Sequence, residues 1–83
     1  MSKITVYGAD WCGDTRRTRR QLDSLGIAYK FVDIDADSAA SDWITEQNNG
    51  KRLTPTVKID DQLLFEPSNA QMTMALLAAG LVV

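Results

Sequence analysis

The sequence has no histidine and only one cysteine, Cys12. With one cysteine, no internal disulfide can form, so the fold must be held together by its packed core alone. A zinc site built from cysteine and histidine within one chain is excluded, and so is any nucleophile that a neighbouring histidine activates. If Cys12 is reactive, another feature of the chain must favour its thiolate.

The rest of the composition is that of one small globular domain, expected to span residues 1–83. Hydrophobic residues make up 45% of the 83 positions, which is enough for one core but not for two domains. The formal net charge of −2 argues against a nucleic-acid partner. No apolar run approaches the ~20 residues that a membrane-spanning helix needs. The chain begins directly with a strand pattern and no signal-peptide core, so we expect a cytoplasmic protein without membrane association.

The apolar pattern predicts strands at residues 4–7, 28–34, 56–59 and 63–65. Three helices are predicted: from Cys12 to just before Gly26, from Asp37 or Ser38 to residues 49–50, and from a Ser68 capping box to Gly80. The order β-α-β-α-β-β-α gives a parallel strand pair joined by a crossover helix, followed by an antiparallel hairpin. This is the order of the thioredoxin fold, an α/β fold with a four-stranded mixed sheet.

Three- and four-residue spacings predict which helix faces are buried. On the first helix the predicted face comprises Cys12, Thr15, Thr18, Leu22 and Leu25. On the last helix it comprises Met72, Ala75, Leu76 and Ala79. Two further aromatic residues, Tyr29 and Trp43, are expected in or beside the core.

Cys12 lies in a mostly polar run at the predicted start of a helix. A lone cysteine is commonly a small buried hydrophobic residue, but no core strand is built from such a run. Unpaired N–H groups and the positive end of the helix dipole favour a thiolate at this position. Arg16 and Arg17 add to this effect, whereas Asp10 and Asp14 oppose it. We therefore expect the pKa of the Cys12 thiol to lie below that of a free cysteine.

Residues 11–15, W-C-G-D-T, resemble the W-C-x-x-C active-site turn of the glutaredoxin family, with Thr15 at the position of the second cysteine. Residues 53–57, L-T-P-T-V, resemble the family's T-V-P segment, whose proline is cis and faces the cysteine. Within the family the chain most resembles the mycoredoxins of actinobacteria, through residues 10–13, 27–29, 32–34, 49–52, 55–58 and 67–68. The resemblance spans nearly the whole chain and implies a thiol–disulfide oxidoreductase.

The resemblance also implies a monothiol reaction, because Thr15 removes the resolving cysteine. Cys12 is the expected nucleophile, and Thr15 is either a donor to its sulfur or simply a helix residue packed against the sheet. Glutathione or mycothiol is the implied co-substrate, with no tightly bound cofactor and no metal. The implied partners are S-thiolated client proteins, and the chain is expected to be a monomer.

The family's small-thiol site can be carried over onto matching positions. The backbone flanking Thr54 and Pro55 would pair with the peptide-like part of the thiol, and the N–H groups of Ser68 and Asn69 would hold its carboxylate or polar head. Ser68 is equally explained as a helix cap. The remaining candidates are Arg16 and Arg52, which otherwise belong to a solvated charged surface, and Trp11, a possible contact for the protein substrate.

Three other functions stay open. An iron–sulfur carrier would share a cluster between two chains through Cys12 and bound small thiols, but such relatives carry C-G-F-S where this chain has C-G-D-T. A reductant of ribonucleotide reductase uses two cysteines, so Thr15 counts against it. A redox-silent interaction domain is the third alternative, and the presence of Cys12 weighs against it.

Overall fold

Residues 3–82 fold into four strands and three helices in the predicted order. The structure is a computed structural model that describes residues 3–82. The elements are β1 Ile4–Gly8, α1 Gly13–Ser24, β2 Lys30–Asp33, α2 Ser38–Gln47, β3 Thr56–Ile59, β4 Gln62–Phe65 and α3 Asn69–Ala78. Within residues 3–82, no helix has the length and apolar character required to cross a membrane.

The sheet has the strand order β2-β1-β3-β4, with β1 parallel to β2 and antiparallel to β3. Gly8 is the register partner of Asp33, so the loops that follow β1 and β2 leave from the same edge. Tyr7 is the partner of Thr56, and Thr56 in turn is the partner of Phe65. The segment before β3 and the segment after β4 therefore reach that same edge, where the candidate site lies.

The two faces of the sheet are covered by different helices. Apolar side chains of β1 and β3 form one buried cluster with α1 and α3, comprising Ile4, Val6, Val57, Ile59, Leu22, Met72, Ala75 and Leu76. Tyr7 points to the opposite face because side chains alternate along a strand. There its ring packs against Trp43 of α2, with 5.4 Å between ring centroids. Thus α1 and α3 cover one face, and α2 covers the other.

The caps confirm the predicted starts of α2 and α3 and the predicted end of α1. The Ser68 hydroxyl accepts from the N–H of Gln71, and the Gln71 side chain accepts from the N–H of Ser68, which is the complete capping box. Asp37 caps α2 through its carboxylate, which accepts from the N–H of Ala40 at 3.0 Å. Gly26 lies just beyond α1 with φ of 69°, a left-handed conformation that glycine adopts without steric cost.

Three expectations were wrong in detail. The second helix ends at Gln47 and not at residues 49–50, because Asn49 and Gly50 adopt positive φ angles, which end a helix. The second strand covers Lys30–Asp33 rather than residues 28–34, because the register sets Lys30 opposite Thr5 and leaves Ala28 before the start of β1. Leu25 does not share the buried face of α1: it is the C-cap residue and is 48% exposed, because the helix ends before its side chain turns towards the core.

Candidate active site

Cys12 is the N-cap residue of α1, at the sheet edge where four loops meet. Its N–H donates to the Ala9 carbonyl at 3.0 Å, and its own carbonyl accepts the first helical bond, from Arg16, at 3.1 Å. The side chain is half-buried. The thiol therefore stands at the positive end of the α1 dipole and stays open to reactants.

Thr54, in the loop before β3, faces the thiol directly. Its hydroxyl donates to the Cys12 sulfur at 3.5 Å, and the thiol lies 3.8 Å from its carbonyl oxygen. The peptide bond between Thr54 and Pro55 is cis, and Pro55 is buried. The carbonyl of Pro55 accepts from the N–H of Glu66 at 2.8 Å, which joins this loop to the segment leading into α3.

The pKa of the Cys12 thiol is lowered from its ordinary value, the direction that the sequence predicted. Burial alone would raise this pKa. The hydroxyl of Thr54, the hydroxyl of Thr15 and the N–H groups of Thr15 and Asp14 all stabilise the thiolate, and together they outweigh burial. The thiol makes no side-chain capping hydrogen bond to α1, whereas the Thr54 hydroxyl donates to it at 3.5 Å.

Thr15 is fully buried on the face of α1 that packs against β1. Its hydroxyl accepts from the N–H of Ala9 at 3.4 Å and lies close enough to Cys12 to act on the thiolate. Gly8 is what permits this approach: a Cβ atom there would lie 2.5 Å from the Thr15 hydroxyl oxygen. Both predicted roles of Thr15, sulfur neighbour and packing residue, are thus compatible with one position.

Trp11 is 66% exposed and lies next to Cys12. Its indole N–H donates to one carboxylate oxygen of Asp35 at 2.6 Å. The other carboxylate oxygen of Asp35 accepts from the Arg52 guanidinium at 2.8 Å. These two bonds hold the pKa of Asp35 below its ordinary value. The structure therefore brings Trp11 and Arg52 together through Asp35, a residue that the sequence analysis missed.

Arg16 and Arg17 of α1 are hydrogen-bonded within the chain. Arg16 donates to the Asp10 carbonyl at 2.7 Å and lies over Gly13, beside Cys12. Arg17, which was expected to favour the thiolate but was not named as a binding residue, pairs with Asp14 at 3.1 Å and donates to the Pro67 carbonyl at 3.1 Å. The opposing carboxylate of Asp14 is thus balanced by a cation. No sequence spacing signals the bond to Pro67, because it joins α1 to a segment 50 residues away.

The N-terminus of α3 reaches the same edge through Glu66 and Pro67. The capping box uses the N–H of Ser68, so this group is not free for a ligand while the box is closed. The N–H of Asn69, in the first turn, is not needed by the helix itself. The carbonyl of Asn69 accepts from the Gln21 side chain at 3.0 Å, which ties α3 to α1. The two open grooves along α1, of ≈380 and ≈440 Å³, are not lined by Cys12 or Thr54.

A four-stranded mixed sheet with a cysteine of lowered pKa at a helix N-terminus, facing a cis-proline loop, defines a thioredoxin-fold protein with a redox-competent thiol. The sequence profile of the glutaredoxin family, described as "Glutaredoxin", matches residues 4–64. Mycoredoxin 1 of Corynebacterium glutamicum is 39% identical over 61 residues, which cover 74% of this chain and 75% of that relative. The chain belongs to the glutaredoxin family of thiol–disulfide oxidoreductases, and its predicted similarity to mycoredoxins is confirmed.

Solved structures agree on the fold. A mutant of the thioredoxin-like protein BC3987 superposes with a TM-score of 0.80 at 26% identity, over 92% of this chain and 96% of that chain. The buckwheat glutaredoxin in complex with glutathione gives a TM-score of 0.71 at 20% identity, over 98% of this chain and 82% of that chain. The predicted thioredoxin fold is therefore confirmed.

Proposed function

We propose that this protein reduces mixed disulfides between client proteins and a low-molecular-weight thiol, with Cys12 as its only redox group. The observation that carries the proposal is a half-buried Cys12 thiol of lowered pKa, beside Thr15, in a chain without a second cysteine. The thiolate, and not the thiol, is the attacking species in disulfide exchange, so a lowered pKa favours reaction. We also propose that the protein works as a monomer in the cytoplasm, where thiols are kept reduced.

The reaction proceeds in two exchanges. The Cys12 thiolate attacks the small-thiol sulfur of the mixed disulfide, and a new disulfide forms between Cys12 and the small thiol. The client thiolate leaves with the electron pair and takes a proton from solvent, so no histidine acid is needed. A second small thiol, as its thiolate, then attacks the small-thiol sulfur of the adduct. This step regenerates the Cys12 thiolate and releases the oxidised small thiol, which carries away the disulfide.

The loop before β3 supports the binding half of the proposal. Because Pro55 has no N–H group and its carbonyl already accepts from Glu66, the backbone of Thr54 is better suited to pair with the peptide-like part of the small thiol. The same residue donates to the sulfur at 3.5 Å, so it adjoins both the reacting atom and the bound thiol. The N–H of Asn69 is the remaining donor for a carboxylate or polar head, and Arg16 lies beside Cys12 as a further contact.

Mass spectrometry and a turnover assay test the proposal. Incubation with oxidised glutathione, and separately with oxidised mycothiol, should add one small thiol to Cys12, and the thiol that adds faster identifies the co-substrate. An S-thiolated peptide should then be reduced catalytically by the wild type and not by Cys12→Ser. The variant Thr5→Val, changed in β1 away from the site, should retain wild-type turnover. If the folded wild-type protein reduces neither the glutathione-modified nor the mycothiol-modified peptide, the proposal is wrong and the protein is a redox-silent domain.

A further inference from the structure

The carboxylate of Asp35 has both of its oxygens bonded, and each bond goes to a different loop at the site. One oxygen accepts from the Trp11 indole at 2.6 Å, and the other accepts from Arg52 at 2.8 Å. Trp11 precedes Cys12, and Arg52 lies two residues before Thr54. A single side chain thus links the two loops that face each other across the Cys12 sulfur.

The fold fixes the position of Asp35. Gly8 and Asp33 are the last register partners of the parallel pair. One more backbone hydrogen bond follows, from the N–H of Ile34 to the Gly8 carbonyl at 3.0 Å. The N–H of Asp35 then donates to the Asp33 side chain at 2.9 Å, which holds the turn closed. Asp35 consequently stands beside the loop that follows β1, already oriented towards Trp11.

Trp11 presents a large exposed aromatic surface directly beside the reactive thiol, with 66% of the residue accessible. Tryptophan is enriched in the contact surfaces of proteins, so an exposed indole beside the reactive thiol is suited to contact another molecule. A side chain that is already held in one rotamer loses less conformational entropy when it is contacted, so its contribution to binding is greater. The bond from Asp35 restrains Trp11 in this way without covering the aromatic face.

We propose that Asp35 is a positioning residue for protein substrates: it holds the Trp11 indole as a fixed contact surface for the protein half of the mixed disulfide and couples it, through Arg52, to the Thr54 loop. This inference rests on the proposed function and adds to it that the two halves of the mixed disulfide bind to different parts of the site. The small thiol is bound along Thr54, whereas the client chain docks against Trp11. Asp35 touches neither substrate and acts through Trp11 and Arg52.

The test compares two mixed disulfides that carry the same small thiol, one on free cysteine and one on a cysteine within a ten-residue peptide. For Asp35→Ala, kcat/KM on the peptide should fall by roughly three- to tenfold, mainly through a higher KM, and on free cysteine by less than about twofold. Asp35→Asn keeps one acceptor and should lie between Asp35→Ala and the wild type. The control is Asp61→Ala, in the exposed turn between β3 and β4, which should match the wild type on both substrates.

Fluorescence gives a second readout that does not depend on turnover. The emission of Trp11 is obtained by subtracting the emission of Trp11→Phe from that of the wild type. In Asp35→Ala, the anisotropy decay of this emission should show an additional fast component, because the indole rotates more freely. In the Trp11→Phe background, Asp35→Ala should change peptide turnover by less than about twofold, because the two residues act together. Unchanged anisotropy, or equal losses on both substrates, would overturn the inference. Absence of wild-type turnover on both substrates would overturn the proposed function itself, and this inference with it.

Discussion

Replacement of Gly8 by alanine tests whether the close contact between β1 and α1 shapes the site. A Cβ atom at Gly8 would lie 2.5 Å from the hydroxyl oxygen of Thr15, 2.6 Å from its methyl carbon and 3.1 Å from its Cβ. Thr15 is fully buried, so its side chain has no free space into which to turn. To restore ordinary contact distances, α1 must move away from the strand by about an ångström, which is the scale of overpacking that proteins tolerate poorly.

The expected loss follows from two opposing effects. Overpacking of a close-packed site destabilises by about 1–3 kcal/mol. Alanine restricts the unfolded chain more than glycine does, and this effect stabilises the folded state by up to about 0.5–1 kcal/mol. The free energy of unfolding of Gly8→Ala should therefore fall by about 1–2 kcal/mol, which moves the urea midpoint down by about 1 M or more for a domain of this size. Circular dichroism during urea titration measures this shift.

Two further variants identify the cause. Gly13→Ala is the matched control, because a Cβ there meets nothing closer than the Arg16 guanidinium at 3.9 Å, and its stability should equal or exceed that of the wild type. Thr15→Ala removes the two atoms closest to the added methyl group. The double variant Gly8→Ala/Thr15→Ala should therefore be more stable than the sum of the single changes predicts, by about 1 kcal/mol. Additive losses would refute the argument from this contact.

Two predictions concern the thiol. Because the Thr54 hydroxyl lowers the pKa of Cys12, Thr54→Val should move the midpoint of alkylation rate against pH upwards, whereas Thr5→Val should leave it in place. A thiol with a lowered pKa stabilises the folded state at pH values above its unfolded pKa, and this stabilisation is lost as the pH falls through its folded pKa. Because Thr54→Val weakens the lowering of the Cys12 pKa, the variant should also lose part of this stabilisation. Thr15→Cys should allow an internal disulfide with Cys12 one helical turn away, so that the oxidised variant loses both free thiols in a thiol assay. Retention of both thiols would contradict the correspondence of residue 15 with the family's second cysteine.

The element order was predictable from the sequence because each element is encoded locally. Alternating apolar residues mark β3, and the pair Ser68 and Gln71 forms the capping box that the pattern predicted. The bounds of β2 were not predictable, because they depend on where its register with β1 begins. The exposure of Leu25 likewise depends on the end of α1 and not on the helical spacing alone.

The site was predictable in its reactive atom and only partly in its surroundings. Cys12 at a helix N-terminus follows from local sequence, whereas the hydroxyl of Thr54 as a donor to sulfur follows from a contact across 42 residues. Asp35 was missed because one aspartate in a run of acidic residues carries no distinguishing signal. Its role appears only when parallel pairing sets the ends of β1 and β2 side by side.

Two ion pairs help to hold the loop that carries Trp11 and Cys12. Asp10 pairs with Arg19 at 3.0 Å, and the Arg19 guanidinium lies 3.9 Å above the Phe31 ring. Asp35 and Arg52 form the other tie, and the chain has no histidine. Both ties are carboxylate–guanidinium pairs, at 3.0 Å and 2.8 Å, and neither involves an imidazole. Because the chain has no histidine, no imidazole changes its charge beside Cys12 in the neutral range, which simplifies the interpretation of how the reactivity of this thiol depends on pH.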